Sequence, residues 1–240
     1  MSDRVLVVNA DDFGRSPGIN AGVVAAHERG IVTSASLMVR WPAAVEAAAY
    51  ARAHPALSIG LHFDLSEWAH RDGAWVPTYE VRPAGDRAAV EDELARQLDA
   101  FRALVGDDPT HLDSHQHVHR AEPVHSVLAE AAAELAVPLR GYAPGVRYCG
   151  DFYGQTATGD PLPEAITVAA LVRIVETLPA GVTELGCHPG ADAGGDSTYG
   201  AERVREVEAL CDASVRGAVV RAGVELVSFA EVARLGQNVA

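Results

Sequence analysis

Short apolar runs alternate with helical patterns along almost the whole chain, and this alternation limits the possible fold more than any other feature. Seven runs have the length and composition of strands, at residues 4–9, 31–38, 57–62, 111–119, 137–141, 182–188 and 224–227. Most are followed by a segment in which apolar residues recur every three or four positions, as a helix requires. Strands that are each followed by a helix indicate a parallel sheet. We therefore expect an α/β fold with about seven parallel strands in a (β/α) barrel related to the TIM barrel.

The turn after the first strand helps to choose between a barrel and an open sheet. A dinucleotide-binding fold would have a glycine-rich turn at this point. The chain instead has the acidic sequence NADDFG at residues 9–14. We see no internal repeat and no linker, so residues 1–240 are predicted to form a single domain.

Carboxylates and imidazoles recur at the ends of the predicted strands. The first strand ends in Asp11 and Asp12, the third in His62, and a late strand in His188. In a (β/α) barrel the carboxyl ends of the strands meet on one face, where function is found. Taken singly, the aspartates could cap a loop, His62 could lie in the core, and His188 could end its strand before a proline. The coincidence of all of them favours one polar site.

The segment at residues 110–119, THLDSHQHVH, places His111, Asp113, His115, His117 and His119 at alternate positions. On an extended strand, alternate residues point to the same face. Packing alone does not call for this, because each buried imidazole or carboxylate needs its own partner. A metal or proton-transfer site does call for it. A purification tag is a poor alternative in mid-chain, whereas a solvated loop remains open from this segment alone.

Composition excludes several functions. The net charge of −14 argues against nucleic acid and against an anionic membrane surface. All 19 basic side chains are arginine, so Schiff-base chemistry and P-loop phosphate binding lose their usual lysine. The three cysteines form no CxxC pair and do not suggest a disulfide framework. The amino terminus has no signal pattern and no apolar run is long enough to cross a bilayer, so we expect a cytoplasmic protein.

Several motifs together resemble the YdjC-like, ChbG-type carbohydrate deacetylases, in the family's order and over nearly the whole chain. They are NADDFG at 9–14, GIVTS at 30–34, GLH at 60–62, HLDSHQHVH at 111–119, FYG at 152–154 and CHP at 187–189. The resemblance implies metal-dependent removal of an N-acetyl group from an amino sugar or a short chitooligosaccharide. It implies Asp12, His62 and His115 as metal ligands, Asp11 as general base and His188 as general acid. It also implies a homodimer.

This ligand set of one carboxylate and two imidazoles suits a single divalent ion, Mg²⁺ or Zn²⁺, with Mn²⁺, Co²⁺ and Ni²⁺ as alternatives. Asp113 and His117 are assigned to the pocket or to the support of a ligand imidazole. The irregular residues 66–87 are read as a long functional loop that selects the substrate. Trp68, Arg147 and Tyr153 are candidate contacts to the sugar.

Two other functions remain open from the sequence. One is a different metal-dependent barrel enzyme, an amidohydrolase or a phosphoesterase. The usual amidohydrolase pattern places His-x-His at the first strand, and a phosphoesterase would need more cations. The other is a non-catalytic sugar-binding or metal-binding protein on the same scaffold. Such a protein would need Asp12, His62 and His115 but not Asp11 and His188, so the presence of both favours an enzyme.

Overall fold

The structure of the protein is a computed structural model that describes residues 3–192 and 199–232. The strands among these residues are β1 (Arg4–Phe13), β2 (Ser34–Leu37), β3 (Ser58–Phe63), β4 (Ser66–Arg71), β5 (Ala74–Glu80), β6 (Leu112–Ser114), β7 (Val146–Cys149), β8 (Gly181–Cys187) and β9 (Val224–Leu226). The α-helices are α1 (Pro17–Glu28), α2 (Ala44–Ala53), α3 (Arg87–Val105), α4 (Val124–Leu135), α5 (Val168–Glu176), α6 (Ala201–Cys211) and α7 (Ala213–Arg221). Short 3₁₀ segments lie at His115–Arg120 and Pro163–Ile166.

Seven of the described strands form one parallel sheet in the order β6-β3-β2-β1-β8-β7, and β9 pairs with the first residues of β1. This confirms the predicted α/β class and the number of parallel strands. The ladder ends at β6 and β7, so the described residues form a partial barrel. Central β1 has no polar alternation because both of its faces are covered, and Leu6, Val7 and Val8 are fully buried.

The helices cover the sheet, and α1 begins at the cap and the proline that predict its start. Ser16 caps α1, accepting a hydrogen bond from the backbone N–H of Ile19, and Pro17 occupies the first turn. The helical periodicity of residues 202–222 predicts one helix, but the structure has two, because Asp212 adopts an extended conformation and caps α7. No helix among the described residues combines the length and apolar character that a membrane crossing needs. The sequence also predicts a short terminal helix at 229–234, which lies partly outside the described residues.

The expectation of an irregular loop at 66–87 is wrong. Strands β4 and β5 form an antiparallel hairpin, with Asp72 and Gly73 at its turn, both at positive φ. Most of its residues face solvent, so the apolar alternation that predicts a strand is absent. The hairpin is fixed to the body through Tyr79, whose hydroxyl donates to Asp64 at 2.8 Å.

The expectation of one extended strand through residues 111–119 is also wrong. Strand β6 ends at Ser114, because Gln116 and His117 adopt left-handed conformations with φ of 49° and 53°. The chain turns there, and the histidines diverge. The predicted strand at 137–141 is reduced to one bridge between Leu139 and Leu112, while β7 forms further on, in a segment expected to be irregular.

Candidate metal centre and active site

Asp11 and Asp12 both reach the same cavity although they are neighbours on one strand. Successive residues of a regular strand point to opposite faces. Here Asp12 has a φ of 64°, and the pairing of β1 with β2 shifts register between Ala10 and Phe13. Aspartate tolerates the left-handed region better than most residues. The bulge therefore turns the second carboxylate back beside the first.

Asp12, His62 and His115 come together at the carboxyl ends of β1, β3 and β6. Asp12 Oδ1 lies 3.4 Å from His62 Nε2 and 3.1 Å from His115 Nδ1, and one ligand atom from each residue falls within 4.8 Å of the others. All three side chains are buried. Asp12 Oδ2 accepts a bond from Arg203 at 2.5 Å, whereas Oδ1 accepts none from any described residue. A buried carboxylate oxygen facing two imidazole nitrogens fits a divalent cation.

Asp113 fixes the orientation of His62. Its Oδ1 lies 2.7 Å from His62 Nδ1, which leaves Nε2 directed at Asp12. Burial lowers the pKa of His62, but the carboxylates of Asp113 and its neighbours outweigh burial and raise the pKa to about 10. A carboxylate behind a ligand imidazole is the usual arrangement at metal sites. Asp113 is itself held by Ser36, whose hydroxyl donates at 2.6 Å.

Arg140 is the main residue of the site that sequence reasoning missed. Its guanidinium is buried and donates to both oxygens of Asp11, at 2.6 and 2.7 Å, and to Glu184 at 2.5 Å. It also lies 2.9 Å from Asp113. Asp11, His62 and Asp113 form a second group with the spacing of metal ligands. Arg140 occupies both oxygens of Asp11, whereas Asp12 keeps Oδ1 without a hydrogen-bond partner among the described residues, so the group with Asp12 is the better metal site.

The proton-transfer candidates face each other beside this group. His188, at the end of β8, has Nε2 3.6 Å from Asp11 Oδ2. Burial raises the pKa of Asp11, but Arg140 outweighs burial and lowers the pKa, so the carboxylate is ionised at neutral pH. Burial lowers the pKa of His188 to about 4, so its imidazole is neutral. The ring packs against Tyr153 and Tyr199, each with its centroid at 5.3 Å.

A cavity of about 470 Å³ opens above these groups. Its lining includes the candidate sugar contacts Trp68 and Tyr153, together with His117, whose Nε2 lies 3.3 Å from the hydroxyl of Tyr148. Arg147 does not line the cavity. It is exposed on β7, where its neighbour Tyr148 points inward, as strand alternation requires.

His111 and His119, the other two histidines of the 111–119 segment, do not belong to the group formed by Asp12, His62 and His115. His111 stacks on Phe229 with ring centroids 4.0 Å apart, and Gly60 is needed beneath it because a Cβ there would lie 2.4 Å from the imidazole. His119 Nδ1 lies 2.6 Å from the hydroxyl of Ser114. Both are fully buried and neither belongs to a group with the spacing of metal ligands among the described residues.

Arg203 and Glu67 also line the cavity and were not predicted. Arg203 and Glu206 lie on the buried face of α6 beside Leu210, and charged residues on an apolar helix face are a signal that could have identified them. The sequence around Glu67 offers no comparable signal, because the hairpin lacks the apolar alternation of a half-buried strand. Burial raises the pKa of Glu67, but His115 and Arg15 outweigh burial and lower it.

The sequence matches known proteins over nearly its whole length. A family model described as YdjC-like protein matches residues 5–221. A carbohydrate deacetylase of Geobacillus stearothermophilus is 33% identical over 97% of this chain and 99% of its own length. A chitooligosaccharide deacetylase of Salmonella typhimurium is 33% identical over 96% of this chain and all of its own.

One solved structure is similar over nearly the whole chain. It is an Enterococcus faecalis protein provisionally assigned to cellobiose-phosphate cleavage, 26% identical, with a TM-score of 0.75 and coverage of 96% of this chain and 99% of that one. The family match spans most of the sequence, and the relatives match it from end to end. The chain therefore belongs to the YdjC-like family.

Proposed function

We propose that this chain is a metal-dependent carbohydrate N-deacetylase that hydrolyses the acetamide of an amino sugar or a short chitooligosaccharide and releases acetate. The observation that carries the proposal is the unpartnered Oδ1 of Asp12 between two imidazoles, directly beside the pair Asp11 and His188. The names of the curated relatives support the substrate class. We propose that residues 1–240 act as one domain.

Asp12, His62 and His115 would hold one divalent cation, Mg²⁺ or Zn²⁺, with Mn²⁺, Co²⁺ or Ni²⁺ as alternatives. Such a cation supplies Lewis acidity, which polarises an amide carbonyl and acidifies water. The protein supplies the proton transfers. Asp11, ionised beside Arg140, accepts a proton from the attacking water. As the water oxygen bonds to the acetyl carbon and the C–N bond breaks, the amine nitrogen needs a proton, which His188 delivers.

The 3.6 Å separation between Asp11 and His188 gives a route by which the proton reaches a histidine that is neutral at the start. A sugar-binding protein without activity would not need this pair. The mechanism therefore predicts both products in equal amounts, acetate and a free amino sugar.

The first test is metal-dependent acetate release. Protein stripped with a chelator is expected to release no acetate from N-acetylglucosamine, its disaccharide or longer chitooligosaccharides, because no Lewis acid remains. Resupply with single divalent ions is expected to restore release, measured by an acetate assay. The control is stripped protein resupplied with Na⁺ at equal ionic strength. If each divalent ion binds but none restores acetate release from any of these sugars, the proposed substrate class is wrong.

Trp68 is expected to contribute to sugar binding. Its side chain lines the cavity and is 37% exposed, so one face is open to a sugar ring. Trp68→Ala removes that apolar surface, and we expect KM to rise about tenfold, for a loss of about 1–1.5 kcal/mol. We expect kcat to change less, since Trp68 has no group that transfers a proton or binds the cation. Tyr142→Ala is the matched control, because Tyr142 is 46% exposed and does not line the cavity. An unchanged KM for Trp68→Ala would remove this residue from the binding site.

A further inference from the structure

The position of the ring proton on His115 is constrained by which nitrogen faces Asp12. Nδ1 lies 3.1 Å from Asp12 Oδ1, on the side of the metal group. A neutral imidazole binds a cation through the nitrogen that lacks a proton. If Nδ1 is the ligand atom, the ring proton must be on Nε2, where it needs an acceptor.

Two charged groups lie near Nε2 of His115, and only one of them can accept a proton. Arg15 Nη1 is 3.4 Å away and has donors only, so it hydrogen-bonds Nε2 only in the tautomer that carries its proton on Nδ1, which cannot bind a cation through Nδ1. Glu67 Oε2 is 3.8 Å away, within ion-pair range and somewhat longer than a hydrogen bond. The carboxylate of Glu67 is therefore the acceptor that this tautomer needs.

Glu67 is held firmly in this place. It is 2% exposed and pairs with Arg15 at 2.5 Å, and Arg15 lies over the ring of Trp41 at 5.3 Å. The neighbouring residues are also joined: the backbone N–H of Trp68 donates to Gln116 Oε1, and Gln116 Nε2 donates to the carbonyl of Trp68, both at 2.8 Å. This double hydrogen bond ties the hairpin to the turn that carries His115.

We propose that Glu67 is a positioning residue for His115, accepting the Nε2–H and so keeping Nδ1 free to bind a divalent cation. The proposal rests on the metal site of the proposed function. Each of the two imidazoles would then have a carboxylate behind it, because Asp113 supports His62 through the nitrogen that does not face Asp12. The two supporting carboxylates differ in origin, because Asp113 lies on the parallel sheet and Glu67 lies on the hairpin outside it.

The test measures metal affinity without substrate. Metal-free wild type, Glu67→Ala and Glu67→Gln are titrated with Zn²⁺ by calorimetry. We expect Glu67→Ala to bind about 10- to 100-fold more weakly, the usual effect of losing a group that supports a metal ligand. Glu67→Gln should lie between it and wild type, because the amide oxygen accepts the same hydrogen bond without the charge. Glu80→Gln is the matched control, since Glu80 is an exposed carboxylate on the same hairpin.

A double variant separates this effect from the charge that Glu67→Ala leaves on Arg15. If the loss came only from the freed guanidinium repelling the cation, Arg15→Met with Glu67→Ala would bind Zn²⁺ as wild type does, and that result would overturn the proposal. We expect the double variant still to bind Zn²⁺ weakly, because it also lacks a carboxylate that can accept the Nε2–H of His115. Melting temperatures of the metal-free proteins show that each variant is folded.

The outcomes also separate this proposal from the proposed function. Normal Zn²⁺ affinity in Glu67→Ala overturns the role of Glu67, whatever the wild type hydrolyses. Weaker Zn²⁺ affinity in Glu67→Ala supports the role of Glu67 even if wild type releases no acetate. In that case only the proposed substrate class is wrong. A wild type that binds no divalent ion would overturn both.

Discussion

Asp11→Asn is expected to lower the turnover of acetate release by about 10²- to 10⁴-fold, the usual range for the loss of a general base. Asparagine has nearly the same shape and still accepts a hydrogen bond from Arg140, but it cannot take a proton from water. Arg140 keeps Asp113 and Glu184 as partners, so its buried guanidinium is not left unpaired. Zn²⁺ affinity should be preserved, because Asp12, His62 and His115 are unchanged.

The measurement is kcat at saturating substrate, together with calorimetric Zn²⁺ titration of the same protein. Asp108→Asn is the matched control, because this aspartate pairs with Arg102 on the surface after α3. Loss of turnover together with loss of metal would show that Asp11 acts on the metal site. Unchanged turnover would remove Asp11 as the base.

Arg140→Met is expected to destabilise the fold by about 3–5 kcal/mol, because it leaves buried carboxylates without their cation. The side chains of Asp113 and Glu184 are fully buried and that of Asp11 is 4% exposed, so water cannot replace the guanidinium. Methionine fills a similar volume, which limits the effect of an empty space. The measurement is the free energy of unfolding of metal-free protein in urea.

Arg140→Lys tests whether charge alone is sufficient. Lysine keeps the cation but lacks the planar fork that binds both oxygens of Asp11, so we expect an intermediate loss. Arg96→Met is the matched control, since Arg96 is 53% exposed and its surface ion pairs contribute little. If Arg140→Met unfolds at the urea concentration of wild type, the buried charge network does not stabilise the protein.

The sequence predicts the sheet and the meeting of polar groups well, because both depend on local pattern and strand order. Buried runs define β1 and β3, and their ends carry Asp11, Asp12 and His62. The parallel topology then brings these side chains to one face without any knowledge of long-range contacts.

What the sequence does not predict depends on contacts between distant elements. Arg140 follows a segment with only a single bridge, and nothing local shows that it enters a group of carboxylates. The turn at Gln116 and His117 requires positive φ in residues other than glycine, and the tertiary hydrogen bonds to Trp68 accompany it. The periodicity of apolar residues depends on neighbours in sequence. The position of Arg140 and the turn at Gln116 and His117 depend instead on residues that are distant in sequence and close in space.

The pairing of the hairpin has a consequence for engineering substrate choice. Glu67 and Tyr79 lie opposite each other across β4 and β5, and both are fixed to the body, through His115 and Arg15 on one side and Asp64 on the other. Beyond this pair, residues 69–78 make up an outer cassette that begins next to Trp68. Exchanging that cassette between relatives should transfer preference for sugar length while the catalytic groups stay in place. If Glu67 has the proposed role, a graft that also replaced it is expected to weaken divalent-cation binding as well as to change specificity.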